Sequence, residues 1–371
     1  MIHAMGLILS DNDIHINTLT EKRSVAALPI AGRYRLIDFI LSSMVNSGIT
    51  NVGVIPRLNY SSLMDHLGSG KEWDLNRKNG GLQILPPYIG RGMHGLGEGN
   101  IDLVAAVGGH IKRSKQKHAI LADGNNVLNI DFDDVMDFHL SNHSDITLVY
   151  NEELQTDRAL SAHTILEVDQ NNRVTGMEVR PRRPKSKKVF LNIMLTERNF
   201  LQHLIDEAVA RGEHDIARDI LMKKVSRLNI CAYDFKGYVG CIDSIRSYYD
   251  NSMRILNENV RKELFNPNRP IYTKIKDQVP TNYGSYASVH NSLIADGCTI
   301  EGEVKNSIIF RGVYIGKCAR VSNCIVMQNS VIQDGCELDH VVMDKEVIVR
   351  ESGRLIGDYN YPMIIGKGAV V

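Results

Sequence analysis

Residues 291–305 read NSLIADGCTIEGEVK, and the next three stretches of the chain repeat this pattern. They are NSIIFRGVYIGKCARVS at 306–322, NCIVMQNSVIQDGCELD at 323–339 and HVVMDKEVIVRESGRLI at 340–356. The units begin 15 to 17 residues apart and divide into steps of roughly six residues, each with an aliphatic residue. This pattern predicts a left-handed parallel β-helix, in which each coil has three short faces and covers the next coil.

A β-helix has open ends and flat faces of short strands, which pair readily with another chain. We therefore expect the protein to form oligomers. Such β-helices also occur in acyltransferases, which need a catalytic histidine within the coils. Here only His290 and His340 are available, so the acyltransferase alternative is the weaker one.

Ahead of the repeats, apolar runs alternate with amphipathic stretches. The runs that predict strands are GLIL (6–9), NVGVIP (51–56), HAILA (118–122) and DITLVY (145–150). Residues 35–47 have apolar positions at helical spacing and stop at Gly48, a natural C-terminal cap. We predict a Rossmann-like α/β domain with a mostly parallel sheet at 1–255, a linker at 256–285 and the β-helix at 286–371.

Composition narrows the class of protein. The 371 residues contain 43 basic and 43 acidic side chains, so no net charge attracts nucleic acid or a membrane surface. The sequence shows no long apolar run and no signal pattern. Its six cysteines form no CxxC pair, which favours reduced thiols over a zinc site. We expect a cytoplasmic protein that binds neither nucleic acid nor membrane.

Three segments resemble the ADP-glucose pyrophosphorylase family, whose members join a sugar-nucleotidyltransferase domain to a left-handed β-helix. They are AGRYRLIDFILSSMVNSGITNVGV (31–54), WDLNRKNGGLQILPPY (73–88) and GYVGCIDSIRSYYDNSMRIL (237–256). The resemblance covers nearly the whole chain, and the combination of segments makes it specific. It implies a reaction in which the glucose-1-phosphate oxygen attacks the α-phosphate of ATP, catalysed mainly by positioning and charge neutralisation.

The phosphate loop of that family, GGxGxRLxxLT, is altered in this sequence. LILS and LT bracket DNDIHINT (11–18), which has no glycine and lacks the arginine that meets the phosphates. Asp11 and Asp13 would repel a triphosphate. Just downstream, the family's KPAVP becomes VAALP, so Val25 stands at the phosphate-lysine position. The resemblance therefore implies that this loop no longer binds a nucleoside triphosphate.

The family's Mg²⁺ ligands are also replaced. ADGNN (122–126) puts Asn125 at the metal-aspartate position, and GYVGCIDS (237–244) is shortened where the family has GYWxDVGT. Mg²⁺ prefers carboxylate and phosphate oxygens, so we expect no metal site in this chain. Asp123 is an alternative ligand, but two residues of extended chain separate it from Asn125 by about 7 Å.

The sugar-phosphate pocket is changed only in part. The family's GTADA matches GNIDL at 99–103, keeping Gly99 and Asp102. Its EEKP matches EVRP at 178–181, keeping Glu178 and a cation at Arg180. Removing one preorganised charge-stabilising group costs about 10²–10³ in rate, and several groups are altered together. We predict a degenerate, catalytically deficient site with a sugar-phosphate remnant.

Basic residues that resemble the family's effector site are kept. We predict a regulatory role for Lys22, Arg23, Arg35, His340 and Lys345, the last two near β-helix positions that contribute arginines to the cleft between the domains. Pro29 replaces a histidine of that site, and ordinary solvated surface charges are the alternative interpretation.

Two further features stay open. RPRRPKSKK (180–188) has six cations in nine residues, which is typical of a solvated loop, with an anionic effector or an acidic partner as alternatives. Trp73, the single tryptophan, stands beside the segment that resembles the family's regulatory loop, where it either relays effector binding or packs.

These departures resemble the GlgD-type subunits of the family, which accompany GlgC-type catalytic subunits in glycogen biosynthesis. The resemblance implies a non-catalytic modulatory subunit in a mixed tetramer, with Mg²⁺ held by the catalytic partner, no cofactor on this chain, and a sugar-phosphate or nucleotide effector. The chain alone could also form a homo-oligomer. The alternatives are a low-efficiency glucose-1-phosphate adenylyltransferase that uses Asp123 or Asp102 for the metal, and a stand-alone sugar-phosphate or nucleotide sensor.

Overall fold

The computed structural model describes residues 3–10, 16–86, 99–154 and 160–371, and its first part is built around a mixed β-sheet. The strands of this part are β1 (Ala4–Leu9), β2 (Pro29–Ile30), β3 (Tyr34–Arg35), β4 (Asn51–Ile55), β5 (Gly81–Ile84), β6 (His118–Asp123), β7 (Asn126–Val127), β8 (Ile146–Asn151), β9 (Thr164–Val168), β10 (Val174–Val179), β11 (Lys188–Glu197), β12 (Ile230–Asp234) and β13 (Gly240–Cys241). The helices are α1 (Asn17–Thr20), α2 (Leu36–Asn46), α3 (Ser61–Leu67), α4 (Asn100–Ala106), α5 (Gly108–Arg113), α6 (Phe132–Ser141), α7 (Arg198–Ala210), α8 (Met222–Lys224), α9 (Ile245–Arg254) and α10 (Glu258–Leu264).

The predicted α/β architecture is confirmed. β1 lies at the centre, parallel to β4 on one side and to β6 on the other, and β4 is parallel to β5. Successive residues of β1 point to opposite faces of the sheet, so that Leu7 and Ile8 join different hydrophobic cores. α2 and α6 cover one face, while α4, α5 and α7 cover the other.

The sequence prediction contains only four of the strands of this part, and the most consequential of those it lacks is β11. β11 runs antiparallel to both β6 and β8 and separates them, which makes the sheet mixed. Its pairing with β8 shifts register between Phe190 and Ile193, where Asn192 adopts a φ of 54°. This β-bulge interrupts the alternation of side chains that a sequence pattern detects.

The predicted β-helix is also confirmed. Its strands are β14 (Asn282–Tyr283), β15 (Ser288–His290), β16 (Leu293–Ile294), β17 (Thr299–Ile300), β18 (Glu303–Lys305), β19 (Ile308–Ile309), β20 (Tyr314–Ile315), β21 (Arg320–Ser322), β22 (Ile325–Val326), β23 (Val331–Ile332), β24 (Glu337–Asp339), β25 (Val341–Met343), β26 (Ile348–Val349), β27 (Arg354–Ile356) and β28 (Met363–Ile365). They form three parallel sheets of five strands, ordered β14-β17-β20-β23-β26, β15-β18-β21-β24-β27 and β16-β19-β22-β25-β28. β14 and α10 lie within the segment 256–285, which the sequence analysis predicted as a linker.

The third sheet of the β-helix packs against the α/β part. Ile308, Ile325 and Val342 of this sheet are fully buried in one hydrophobic cluster with Phe39 and Tyr248 of the α/β part. β19 and β22 each have two consecutive aliphatic residues. One of them packs inside the β-helix, and the other packs against the α/β part, so both sides of the strand are buried. The two parts therefore share a core.

Candidate functional site

Asn125 stands where the family has its metal-binding aspartate, and it links the segment after β6 to the segment after β13 by hydrogen bonds. It follows β6, and its Nδ2 donates to the carbonyl oxygen of Ile242 at 3.0 Å. The Ile242 amide in turn donates to the Asn125 carbonyl at 3.1 Å, beside the antiparallel pair β7 and β13. A neutral amide thus bridges the two segments on which the family resemblance places the metal carboxylates.

Asp123, the alternative metal ligand, is turned towards β11. Its side chain is buried, and Oδ2 accepts a hydrogen bond from Asn192 Nδ2 at 2.7 Å. Within the described ranges, no three histidine, cysteine or acidic side chains cluster in a way that suits a metal ion. Asn125 supplies an amide where the family has a carboxylate, so Asp123 is the one carboxylate of this pair, and the two residues are a poor fit for Mg²⁺.

Val25, at the predicted phosphate-lysine position, belongs to the hydrophobic interior. It opens a single 3₁₀ turn, Val25–Ala27, and is 1% exposed. It lies in the shared core, together with Leu28 and Phe310. No cation is available from this position for a phosphate. Asp11 and Asp13, which the sequence analysis weighed as repulsive to a triphosphate, lie outside the described residues.

A cavity of about 330 Å³ collects part of the predicted sugar-phosphate remnant. Gly99 and Arg180 line it, and Arg57, His214 and Arg218 supply further basic groups. A side chain at residue 99 would collide with the backbone carbonyl of His214, so the close approach of these segments requires glycine. Asp215 and Asp219 also line the cavity, so it is a polar pocket in which three arginines and a histidine face two acids.

Asp102 and Glu178, the two acids of the remnant, have structural partners. Asp102 Oδ2 accepts from the Gly99 amide at 3.0 Å, which caps α4, and lies 2.8 Å from His214 Nδ1. Glu178 accepts from the backbone amide of Lys185, and the Lys185 ammonium also lies 3.4 Å from Glu167. The contacts of Lys185 hold the loop between β10 and β11 in place.

The other basic groups of this cavity were not predicted from the sequence. Arg57 follows β4 at the carboxyl edge of the parallel strands, where ligands commonly bind in α/β sheets. His214 and Arg218 come from a segment more than a hundred residues further on, where the chain forms a π-helical turn, Ile216–Leu221. Only the position of Arg57 after a predicted strand offered a signal in the sequence.

Three of the five predicted regulatory residues meet where the β-helix contacts the α/β part. Arg23 Nη2 donates to both carboxylate oxygens of Asp344 at 2.9 Å, and both side chains are buried. Burial and the neighbouring cations Arg35 and Arg23 lower the pKa of Lys345 to about 7. Burial likewise lowers the pKa of Arg35 to about 10. We call Arg23, Arg35, Lys345 and Asp344 the interdomain cluster, and the carboxylates of Asp38 and Asp65 also lie close enough to act on the charge of Arg35.

Contacts reach from this cluster to Trp73. The Arg35 guanidinium donates to Ser62 Oγ at 2.9 Å, and its backbone amide donates to Asp38. Asp38 lies 2.6 Å from His66 Nε2, and the ring of Trp73 meets the ring of His66 edge-on at 5.8 Å. Trp73 is 1% exposed, so its side chain packs in the interior, where its ring contacts His66 of this network.

Lys22 and His340 lie apart from the cluster. Lys22 is exposed. His340 and Lys345 flank opposite ends of β25, and the His340 Nδ1 lies 2.9 Å from Asp339. The His340 ring also contacts Tyr249 and Tyr359 at 6.3 Å. Its surroundings are those of a packed corner of the β-helix.

Two protein families match this chain: nucleotidyl transferase over residues 15–258, and GlmU-like, C-terminal hexapeptide over residues 277–360. The glycogen biosynthesis protein GlgD of Bacillus subtilis is 36% identical over 357 residues, which cover 96% of this chain and 93% of the relative. GlgD of Geobacillus stearothermophilus is 42% identical, covering 82% and 79%. The glucose-1-phosphate adenylyltransferase of Thermotoga neapolitana is 32% identical, covering 85% and 76%.

The chain belongs to the nucleotidyl transferase family, and within it to the GlgD-type members of the ADP-glucose pyrophosphorylase family. Among the residues described, no helix combines the length and apolar character needed to cross a bilayer.

Proposed function

We propose that this protein acts in glycogen biosynthesis as a non-catalytic modulatory subunit, which binds an anionic effector at the interdomain cluster and regulates a GlgC-type catalytic partner. The observation that carries the proposal is a contrast between two sites. An amide and an apolar side chain occupy the catalytic positions, whereas the interdomain cluster keeps its buried cations. The names of the GlgD relatives support the pathway.

The interdomain cluster has the electrostatics of an anion site. Arg23, Arg35 and Lys345 come from both parts of the chain, and Lys276 adds a further positive charge near Lys345. Among these cations, Asp344 pairs with Arg23. A bound phosphate group would neutralise cations that now repel one another, so its binding stabilises the arrangement that joins the two parts.

The direct test is ADP-glucose synthesis from ATP and glucose 1-phosphate with Mg²⁺. The chain alone, a GlgC-type subunit alone and the two co-expressed are assayed side by side. We expect no turnover by the chain alone, and a higher rate or lower KM for the pair than for the catalytic subunit alone. Turnover by the chain alone would show that another carboxylate holds the metal.

The role of the cluster is tested in the same assay with variants of this chain. Lys345→Met should reduce the response of the pair to a sugar bisphosphate or to inorganic phosphate by about tenfold or more, because it removes a cation from a partly buried site. Lys317→Met, at an exposed lysine elsewhere on the β-helix, is the control and should leave the response unchanged. Equal responses from both variants would remove the cluster from the mechanism.

Sugar-phosphate binding without turnover is a second candidate function, which the cavity lined by Gly99 and Arg180 favours. Calorimetric titration with glucose 1-phosphate should show binding to the wild-type chain and a loss of about tenfold or more in affinity for Arg180→Ala. Arg182→Ala, an exposed arginine of the same loop, is the matched control. Unchanged affinity for Arg180→Ala would place the ligand elsewhere.

A further inference from the structure

The second sheet of the β-helix presents a flat face with an ordered row of charges. In β18, β21, β24 and β27 the middle residue points inward, and Val304, Val321 and Leu338 are almost fully buried. The residues on either side therefore point outward. The strands pair in register, which stacks their outward side chains into columns along the β-helix.

The first outward column alternates in sign. Glu303 pairs in register with Arg320, Arg320 with Glu337, and Glu337 with Arg354. The exposed fractions of the side chains are 50% for Glu303, 74% for Arg320, 48% for Glu337 and 69% for Arg354. Arg320 Nε lies 3.9 Å from Glu303 Oε2, and Arg354 Nε lies 2.9 Å from Glu337 Oε2. We call these four residues the charge ladder. Exposed pairs of this kind contribute little to the stability of a single chain.

A four-rung alternating ladder is complementary to itself when it is reversed. We propose that the face carrying the charge ladder binds the same face of a second copy of this chain, related by a twofold axis parallel to the strands. Glu303 then lies opposite Arg354 of the second copy, and Arg320 lies opposite Glu337. Both pairs occur twice, because a twofold interface repeats every contact.

The second outward column agrees with this symmetry. On the four strands of the charge ladder it contains Lys305, Ser322, Asp339 and Ile356. The fifth strand, β15, adds Ser288 and His290 to the two columns and lies beyond the end of the reversed ladder. Reversal places Lys305 opposite Ile356, where the lysine stem covers an apolar side chain, and Ser322 opposite Asp339, where the hydroxyl can donate. A twofold axis along the β-helix would instead oppose Glu337 to Asp339. The charges thus favour one of the two twofold geometries.

The face is accessible for such an interface. The third sheet is covered by the α/β part, whereas the ladder residues of the second sheet are exposed to solvent. The four strands of the ladder at about 4.8 Å spacing span roughly 14 Å, which is small for a permanent interface. We therefore expect weak association that is strongest at low ionic strength, since exposed charges are screened by salt.

Inverting the whole ladder tests the proposal. The test variant is Glu303→Arg/Arg320→Glu/Glu337→Arg/Arg354→Glu. Neighbouring residues of its ladder still have opposite charges, and two copies of the variant are complementary when one is reversed. A variant chain and a wild-type chain, in contrast, would bring like charges together. Sedimentation and native mass spectrometry should show wild-type pairs and inverted pairs of similar affinity, within about threefold, and no mixed pairs. Raising the salt from about 0.05 M to about 0.5 M should weaken both kinds of pair.

Several outcomes would overturn the proposal. Mixed pairs as abundant as like pairs would show that the ladder does not face itself, as would a wild-type chain that stays monomeric at low salt. A folded inverted variant that no longer self-associates would contradict the twofold geometry. If the inverted variant forms mixed pairs freely but no longer binds a GlgC-type chain, this face belongs to the catalytic partner instead.

Discussion

The ammonium group of Lys345 lies near Arg23, Arg35 and Lys276, and its pKa falls to about 7 because of burial and these charges. A lysine in an unfolded chain has a pKa of about 10.4. Between about pH 7 and pH 10, the unfolded chain thus binds more protons at this position than the folded chain does. The contribution of Lys345 to the free energy of unfolding therefore rises with pH across this window.

Lys345→Met should raise the midpoint of thermal unfolding at about pH 6, where the wild-type chain must keep a charged lysine partly buried. At about pH 9 the folded lysine is largely neutral, so the difference between variant and wild type should shrink. Differential scanning calorimetry at the two pH values makes the measurement. A difference that does not change with pH would mean that Lys345 titrates normally.

The ion pair of Arg23 with Asp344 should behave as a buried pair. Asp344→Asn leaves Arg23 without its counter-charge and should lower the free energy of unfolding by about 3–5 kcal/mol. Arg23→Met combined with Asp344→Asn removes both charges and should cost clearly less than the sum of the single changes Arg23→Met and Asp344→Asn. Urea unfolding of the four proteins tests this, and strict additivity would contradict a coupled pair.

Sequence reasoning reached part of the candidate site. The family resemblance pointed to Arg23, Arg35 and Lys345 because they stand in recognisable motifs, and the structure brings them together. It could not separate His340 from that group, since only the corner geometry shows that this histidine packs. It also could not find His214 or Arg218, because their proximity to Gly99 depends on how distant segments of the chain fold.

At the scale of elements, the corners of the β-helix explain the repeat in the sequence. Asn291, Asn306 and Asn323 have φ angles of 40°, 46° and 51°, in the left-handed region that asparagine tolerates better than most residues. Asn291 donates to Asn306 at 2.9 Å, and Asn323 donates to Asp339 at 2.8 Å. The initial asparagine of the first three repeats is thus a turn residue.

Replacing Asn306 by alanine should destabilise the protein by about 1–2 kcal/mol, since alanine strains the left-handed backbone and removes the side-chain hydrogen bonds. Asn306→Gly should cost less, because glycine adopts this conformation freely. Chemical denaturation of both variants measures the difference. Equal losses would mean that the hydrogen bonds, and not the backbone conformation, select asparagine here.

The fold as a whole could be predicted because its two periodicities are strong, whereas β11 could not. A repeat of about six residues with one aliphatic residue, kept over several coils, is compatible with few structures other than a β-helix. The alternation of predicted strands and helices indicates a parallel sheet. In β11, Asn192 at the bulge breaks the pattern, and the antiparallel insertion depends on pairing with β6 and β8, which are distant in sequence.

At the scale of the whole molecule, the shared core predicts that both parts unfold together. Phe310→Ala removes a fully buried ring from this core and should lower the free energy of unfolding by about 3–5 kcal/mol. Val304 is buried in the interior of the β-helix and not in the shared core, so Val304→Ala is the control for the loss of apolar volume within the β-helix. Calorimetry should show one transition for the wild-type chain, and two separate transitions would show that the parts unfold independently.

The contacts of Val25 and Asn125 also bear on whether the catalytic residues of the family could be restored by mutation. A lysine restored at residue 25 would enter an apolar interior, at a large cost in desolvation. An aspartate restored at residue 125 would set its oxygens against the Ile242 carbonyl, which now accepts from the amide. Each back-mutation lowers stability before the other can make it useful. The fold itself therefore opposes the return of a lysine at residue 25 and of an aspartate at residue 125.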